Sequence, residues 1–390
     1  MLEAAKANAA KNGYQGAQYP WESADDGTEQ CPDWTIEPDG TCYRCYVAVY
    51  EHHVTAAVAY GIYNYVRITH DTEFLLHKGA EILIETARFW KSRLQYIKEN
   101  DRYEIHRVTG PDEWHEPVDN NVYTNYLARW NLRYVTALTE MLSREYPQEY
   151  TALVEKLGLT EEEIADWDAV AAKVYLPRKE GTQLLEQFEG YFDLKEAVIE
   201  KYDSNDWPIR PEILNTTKKC ETQIIKQADV VMLLHLMGQE FDEETTKLNY
   251  SYYEKRTLHG SSLSPSIYSI MGLKVGDDSK AYRYLRRAAL IDLVNLQGNT
   301  REGIHAANAG GVWQVVVFGF AGVSLDEEGM LCICPHMPPE WNGLTFRIHH
   351  LDSWLEITVH ADNSVEVKVL EGGSVEIRIQ GEKVTVRREI

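Results

Sequence analysis

Between Val108 and Asn125 the chain reads Val-Thr-Gly-Pro-Asp-Glu-Trp-His-Glu-Pro-Val-Asp-Asn-Asn-Val-Tyr-Thr-Asn. A Gly-Pro turn precedes two adjacent carboxylates, Asp112 and Glu113, and an indole and an imidazole, Trp114 and His115, follow at once. A carboxyl beside an indole, on a loop over a helical core, is where desolvation favours the protonated form, and a protonated carboxyl can act as a general acid. The same residues also fit a solvated acidic loop in which Asp119 caps a helix starting near Asp119 or Asn120. Spacing alone leaves both readings open.

A second candidate is Gly260-Ser261-Ser262-Leu263-Ser264-Pro265, which offers hydroxyls and backbone N–H groups at the expected start of a helix, with Pro265 in its first turn. That is an anion site in outline, although serine-rich caps without a ligand are the commoner use of such a run. The spacing of Lys226, Val230, Leu233 and Met237 predicts one helix face, so the lysine is expected to be partly buried and to need an acceptor. A neighbouring carboxylate would serve as well as a ligand. Trp21, in a long loop, reads by itself as a buried anchor. Of the six cysteines, Cys42 and Cys45 have metal-ligand spacing and Cys31 lies near them, but no second pair accompanies them. Reduced thiols and no metal are the expectation.

Gly110-Pro-Asp-Glu-Trp-His-Glu, with Asn120-Asn-Val-Tyr-Thr-Asn after it, resembles the signature of the maltose, kojibiose, nigerose and trehalose phosphorylases, glycoside hydrolase family 65. Gly16-Ala-Gln-Tyr-Pro-Trp-Glu-Ser, Glu85-Thr-Ala-Arg-Phe-Trp, Ile225-Lys-Gln-Ala-Asp-Val, His259-Gly-Ser-Ser-Leu-Ser-Pro-Ser and Glu302-Gly-Ile-His-Ala-Ala-Asn resemble further blocks of that family, in its order. The resemblance implies a mainly α protein, an (α/α)6 barrel followed by a small antiparallel β-sheet domain, with Glu113 as catalytic acid. It implies sugar contacts from Trp21, Glu22, Lys226, Gln227 and Glu254, and Asp112 and Trp114 flank the acid as further substrate contacts. Phosphate is expected on Ser261, Ser262 and His305, with His259 nearby.

The implied reaction is inverting phosphorolysis of an α-glucosidic disaccharide to β-glucose 1-phosphate. Inorganic phosphate is the co-substrate and no cofactor is expected. An inverting hydrolase needs a second carboxylate to activate water, whereas phosphate is already an anionic nucleophile that needs only positioning and charge compensation. A hydrolase on the same fold is one alternative, and the Ser261-Ser262 pair argues against it. A truncated, non-catalytic chain that binds sugar or depends on a partner is another. Acceptor choice is assigned to the loops Glu29 to Tyr43 and Leu176 to Leu214, and the stretches Tyr46 to Tyr65 and Tyr191 to Asp203 are similar to the kojibiose branch. Maltose, nigerose, trehalose and glucosylglycerol stay open. One departure is Ala307, where the family pattern carries Gly.

These residues need elements to hold them. Apolar residues recur at helical spacing in about ten segments up to Leu325, with clear examples at Ala56 to Ile68, Gly79 to Glu99, Val122 to Tyr146, Ile224 to Met237 and Tyr282 to Leu296. Thereafter short alternating runs, Thr345 to His349, Trp354 to Val359, Val365 to Val369, Val375 to Ile379 and Val384 to Arg388, predict strands joined by turns such as Glu371-Gly-Gly and Gln380-Gly. The expected division is therefore residues 1–325 and 326–390. The chain opens in mid-helix at Leu2 without a cap, so the barrel is expected to lack its first helices, and a homodimer is the assembly the resemblance suggests. With 39 basic and 61 acidic residues the formal charge is −22, which disfavours nucleic acid and anionic membranes as partners. No apolar run approaches the roughly 20 residues that span a bilayer, and a cytoplasmic location is expected.

Overall fold

The longest helix shows how local sequence starts and buries an element. Asn121 accepts a hydrogen bond from the backbone N–H of Thr124 (2.9 Å) and caps the helix Val122–Glu145. Leu127, Leu132, Val135, Leu138 and Leu142 recur on its buried side.

The computed structural model describes residues 1–36, 40, 42–205, 207–326 and 328–388. In chain order the α-helices of seven residues or more are α1 (Leu2–Lys11), α2 (Val54–Thr69), α3 (Ala80–Arg93), α4 (Val122–Glu145), α5 (Pro147–Leu157), α6 (Glu161–Ala172), α7 (Val230–Leu236), α8 (Glu243–Glu254), α9 (Ser264–Lys274), α10 (Asp278–Leu290) and α11 (Ala306–Gln314). Two compact units contain them: Met1–Val66, Asp71–Glu196 and Lys218–Gln223 form one, and Arg67–His70, Ala197–Thr217 and Ile224–Ile390 the other.

In the first unit, α3 is shorter than the Gly79 to Glu99 pattern predicts. Leu94 turns extended, and two small strands, β3 (Gln95–Ile97) and β4 (Arg102–Glu104), pair behind it; β1 (Trp34–Ile36) and β2 (Cys42–Arg44) form an earlier hairpin. The buried Arg93 ends α3 by donating to the carbonyls of His106 (2.5 Å) and Arg107 (3.3 Å).

In the second unit, α9 is buried from Ser264 to Leu273, as an inner helix must be, and Pro265 occupies its first turn as expected. Helix α10 starts earlier than the sequence pattern suggests because Asp277 caps it, accepting from Lys280 N (3.3 Å), and it ends at Leu290. The predicted helix from Ile224 forms only from Val230. Ile225 instead pairs in parallel with Thr257, its N–H donating to the carbonyl of Arg256 (2.9 Å) and its carbonyl accepting from Leu258 N (3.0 Å). Lys226 is therefore not on the helix face inferred from its spacing, although it is half-buried as expected.

The strands follow the helices. β7 (Gly343–His350), β8 (Ser353–His360) and β9 (Val365–Glu371) form one antiparallel sheet, while β5 (Val323–Leu325), β6 (Leu331–Ile333), β10 (Val375–Ile379) and β11 (Glu382–Val386) form another in the order β11-β10-β6-β5. Alternation on β8 buries Leu355, Ile357 and Val359 against Ile333 and Ile377 of the second sheet. β5 and β6 were not foreseen, since three residues show no period, and β10 pairs with β6 in parallel. β5 begins before residue 326, where the β region was expected to start. β11 starts two residues earlier than predicted because Gln380 (φ 49) and Gly381 (φ 88) make a two-residue turn that pairs Ile379 with Glu382 at once. Among the described residues no helix is long and apolar enough to cross a membrane.

Candidate active site

In the first unit, the acidic loop is a closed neck. Val108 and Val118 exchange both backbone hydrogen bonds (2.8 and 2.9 Å), with Glu113 midway between them. Asn120 takes a left-handed conformation (φ 52), and its Oδ1 accepts from Ile105 N and from Asn125 Nδ2, both at 3.1 Å. Asn121 caps α4, whereas Asp119, the cap suggested by the sequence, accepts from Arg107 N (2.8 Å). The Asn120 to Asn125 stretch thus starts the helix and fixes one end of the loop.

Within the loop Asp112 and His115 are buried, while Glu113 and Trp114 are half-buried. The Asp112 side chain is fully enclosed, its Oδ2 lying 2.6 Å from His115 Nδ1 and accepting from Gln187 Nε2 at 2.9 Å. These contacts tie the Asp112 carboxylate into the loop. Lys219 lies 4.6 Å from the ring centroid of Trp114.

Trp21 and Glu22 are held by one carboxylate. Glu29 accepts from the N–H groups of Trp21 (2.7 Å), Glu22 (3.0 Å) and Cys31 (2.9 Å). Trp21 is half-buried and meets His53 edge-on (6.1 Å between centroids), and His53 meets Tyr123 of α4 in the same way (5.3 Å). Trp21 is thereby tied to the first turn of α4, and Glu22 is exposed. Burial pushes the His53 imidazole down to about 4, so it stays neutral near pH 7.

In the second unit, the bridge at Ile225 sets Lys226 beside the serine run, because the Lys226 carbonyl accepts from Gly260 N (2.8 Å). Gln227 is buried. Ser261 accepts from Leu263 N (3.3 Å), and Ser261 and Ser262 are both half-buried just ahead of α9. A β-carbon at Gly311 would lie 2.6 Å from Ser266 Oγ, and one at Gly319 would lie 3.0 Å from Leu273. Gly319 lies in the π-helical turn Val315–Phe320 that continues α11, and both pairs advance together along the chain, so α9 and α11 run parallel and their N-termini share one end. His305 is the residue immediately ahead of α11. Ser261, Ser262 and His305 therefore sit at two adjacent helix N-termini, where backbone N–H groups and the helix dipole favour an anion. Ala307 is exposed, so its methyl group has room where the family pattern carries Gly.

His259, two residues ahead of Ser261, packs into the interior. It is buried with both nitrogens engaged, Nδ1 to Ser264 Oγ (2.9 Å) and Nε2 to Tyr284 OH (3.1 Å), and burial pushes it down to about 3. Tyr284 donates to Glu254 Oε1 (2.9 Å), so His259 donates from Nε2 and accepts from Ser264 at Nδ1. Glu254 also pairs with Lys280 Nζ (2.8 Å), and a cavity of about 430 Å³ beside it is lined by Tyr202, Trp207, Glu254, Lys280, Tyr284 and Arg287 among others.

Gln187, His53, Lys280 and Tyr284 escaped the sequence reading. Most lie far along the chain from the residue they hold, so no local spacing marks them. The polar run Glu51-His52-His53 ahead of the apolar start of α2 was the one available signal, since all three are buried. The thiols that approach are Cys31 and Cys45 (3.7 Å), not the Cys42 and Cys45 pair marked by spacing. Among the described residues no three metal-ligating side chains converge.

A helical unit with an acidic neck loop, followed by paired helix N-termini and a β region, matches the models for the glycosyl hydrolase family 65 central catalytic domain over residues 1–314 and for the family 65 C-terminal domain over residues 326–386. The chain belongs to glycosyl hydrolase family 65, and its fold class is that family's (α/α)6 barrel followed by a β-sheet domain. It is 52% identical over 387 residues to a kojibiose phosphorylase of Thermoanaerobacter brockii, covering 99% of this chain and 50% of that protein. An alpha,alpha-trehalose phosphorylase of the same organism is 35% identical, with 100% of this chain and 48% of that protein covered. A solved structure from the human microbiome aligns with a TM-score of 0.86 at 29% identity, covering 100% of this chain and 49% of that one. The chain spans about half the length of these relatives.

Proposed function

We propose that this chain carries the chemistry of an inverting disaccharide phosphorylase acting on an α-glucoside. Glu113 gives its proton to the glycosidic oxygen as the bond from that oxygen to the anomeric carbon breaks. A phosphate oxygen forms the new bond on the opposite face, so β-glucose 1-phosphate and the free acceptor sugar result. Phosphate is held by Ser261, Ser262 and His305, and the glucosyl unit by Trp21, Glu22, Trp114, Lys226, Gln227 and Glu254. Asp112 and His259 hold the two loops in shape.

The observation that carries this reading is the shared end of α9 and α11, which gathers two serines and an imidazole at two helix N-termini. Such an end suits a dianionic nucleophile, and a water nucleophile would need a base instead. Kojibiose is the proposed disaccharide, supported by the 52% identity to a protein of that name. The loops assigned to acceptor choice lie partly outside the described residues, at 37–39, 41 and 206. The proposed compartment is the cytoplasm, where inorganic phosphate is available, and the proposed assembly is a homodimer.

The test is product release from a panel of α-linked glucose disaccharides with and without phosphate, the product anomer being read by NMR. Phosphate-dependent β-glucose 1-phosphate from kojibiose is expected. Phosphate-independent release of glucose would overturn the phosphorylase reading.

A further inference from the structure

Helix α10 ends at Leu290, and α11 opens at Ala306 with His305 immediately ahead of it. The segment between them returns on itself. Asn295 accepts from the N–H of Thr300 (3.0 Å) and from its hydroxyl, and Gly303 has a φ of 134, a backbone region that L side chains rarely adopt. That return brings Asp292 onto His305 twice: Oδ1 lies 2.6 Å from the ring Nδ1, and Oδ2 accepts the His305 backbone N–H at 2.9 Å. Each side chain is only 20% exposed, so these bonds are partly shielded from water. They also hold the Asp292 carboxyl below the usual carboxylate range, the bond to the His305 ring being the largest cause.

An imidazole at a helix N-terminus can turn over and present either nitrogen. Here a carboxylate accepts at Nδ1, so Nδ1 carries a proton and Nε2 is the ring atom left for a ligand. Among the described residues Nε2 has Asn299 Nδ2 at 3.4 Å, a long contact from a donor that the O–H of hydrogen phosphate can displace.

We propose that Asp292 is a positioning residue for phosphate: it locks the His305 ring so that Nε2 meets the anion at the shared end of α9 and α11. This rests on the reading of His305 as a phosphate ligand. Asp292 does not touch phosphate itself, since one carboxylate beside another anion would repel it, and both of its oxygens are already engaged.

The test uses Asp292→Asn, Asp292→Ala, Asp292→Glu and His305→Gln in the full-length protein, with KM for inorganic phosphate, KM for disaccharide and kcat measured for each. The tautomer of His305 is followed by ¹⁵N NMR in the absence of phosphate, its signal assigned by loss in His305→Gln. Asp292→Ala and Asp292→Asn are expected to raise the KM for phosphate on the order of tenfold, leave the KM for disaccharide in place, and shift the His305 signal toward a tautomer mixture. Asp292→Glu is expected to restore part of the phosphate affinity. A phosphate KM that rises in His305→Gln but not in either Asp292 variant would overturn the positioning role, as would a uniform loss of both KM values with the tautomer unchanged. An unchanged phosphate KM in His305→Gln would sink the ligand reading itself.

Discussion

His115 places both ring nitrogens against acceptors: Nδ1 is 2.6 Å from Asp112 Oδ2 and Nε2 is 2.8 Å from the carbonyl oxygen of Thr222. A carbonyl can only accept, so Nε2 carries a proton, and the short contact to Asp112 needs another. The buried pair therefore shares one proton more than a carboxylate and a neutral imidazole would hold. Asp112→Asn should leave the imidazole without its charge partner and destabilise the protein by about 3 kcal/mol. Urea unfolding at pH 7 checks this, and a wild-type midpoint would mean the pair contributes nothing.

Glu113 has a different profile. It is half-buried near the tip of the neck, and its neighbours Asp112 and His115 already hold the loop. Glu113→Gln should lower kcat by about 10² to 10⁴, the usual contribution of a general acid, while the melting temperature and sugar affinity stay near wild type. Full turnover in this variant would move the acid elsewhere.

The glycines at 310 and 311 should behave oppositely. A β-carbon at Gly311 would lie 2.6 Å from Ser266 Oγ, so Gly311→Ala must push α9 and α11 apart, at a cost of about 1–3 kcal/mol. Nothing lies within 4 Å of a β-carbon at Gly310, and Gly310→Ala should stabilise α11 by up to about 1 kcal/mol. Thermal melts of the two variants give the comparison. Raised phosphate KM in Gly311→Ala alone would link the helix spacing to the anion site.

Stability should fall as the pH drops below neutrality, well before most carboxylates titrate. Burial lowers His52 to about 3, His53 to about 4 and His259 to about 3, whereas an exposed imidazole titrates near 6.5. The unfolded chain then binds protons that the folded one refuses. Their contribution is complete above about 6.5 and is lost progressively as the pH falls toward the folded values. Melting temperatures between pH 7.5 and 4.5 should decline, and His53→Gln should flatten the decline. A pH-independent melt over that range would contradict the burial of these imidazoles.

The elements that were legible before folding are those whose signal is local. Asn120 to Asn125 announces a helix start, Pro265 marks the first turn of α9, Gln380-Gly381 makes a two-residue hairpin, and β8 shows its alternation in eight residues. Lys226 shows where local pattern misleads. Its apolar spacing continues that of α7, but the backbone of Ile225 finds a partner in the Arg256 to Leu258 segment, and that pairing stops the helix at Val230.

What the sequence determined by itself was the inventory of chemistry: an acid beside an indole, and hydroxyls ahead of a proline-started helix. Periodicity and short-range capping act over a few residues, so they survive without tertiary contacts. What only the tertiary structure decided was which of these groups is spent holding others. Asp112 and His259 read as ligand groups in the sequence, and burial engages the Asp112 carboxylate with His115 and Gln187, and both ring nitrogens of His259 with Ser264 and Tyr284. Asp292 carried no signal at all, because its partner is thirteen residues away and reaches it only when the segment after α10 folds back. Hydrogen-bond partners of buried polar groups are chosen by proximity in space, and a linear pattern holds no record of it.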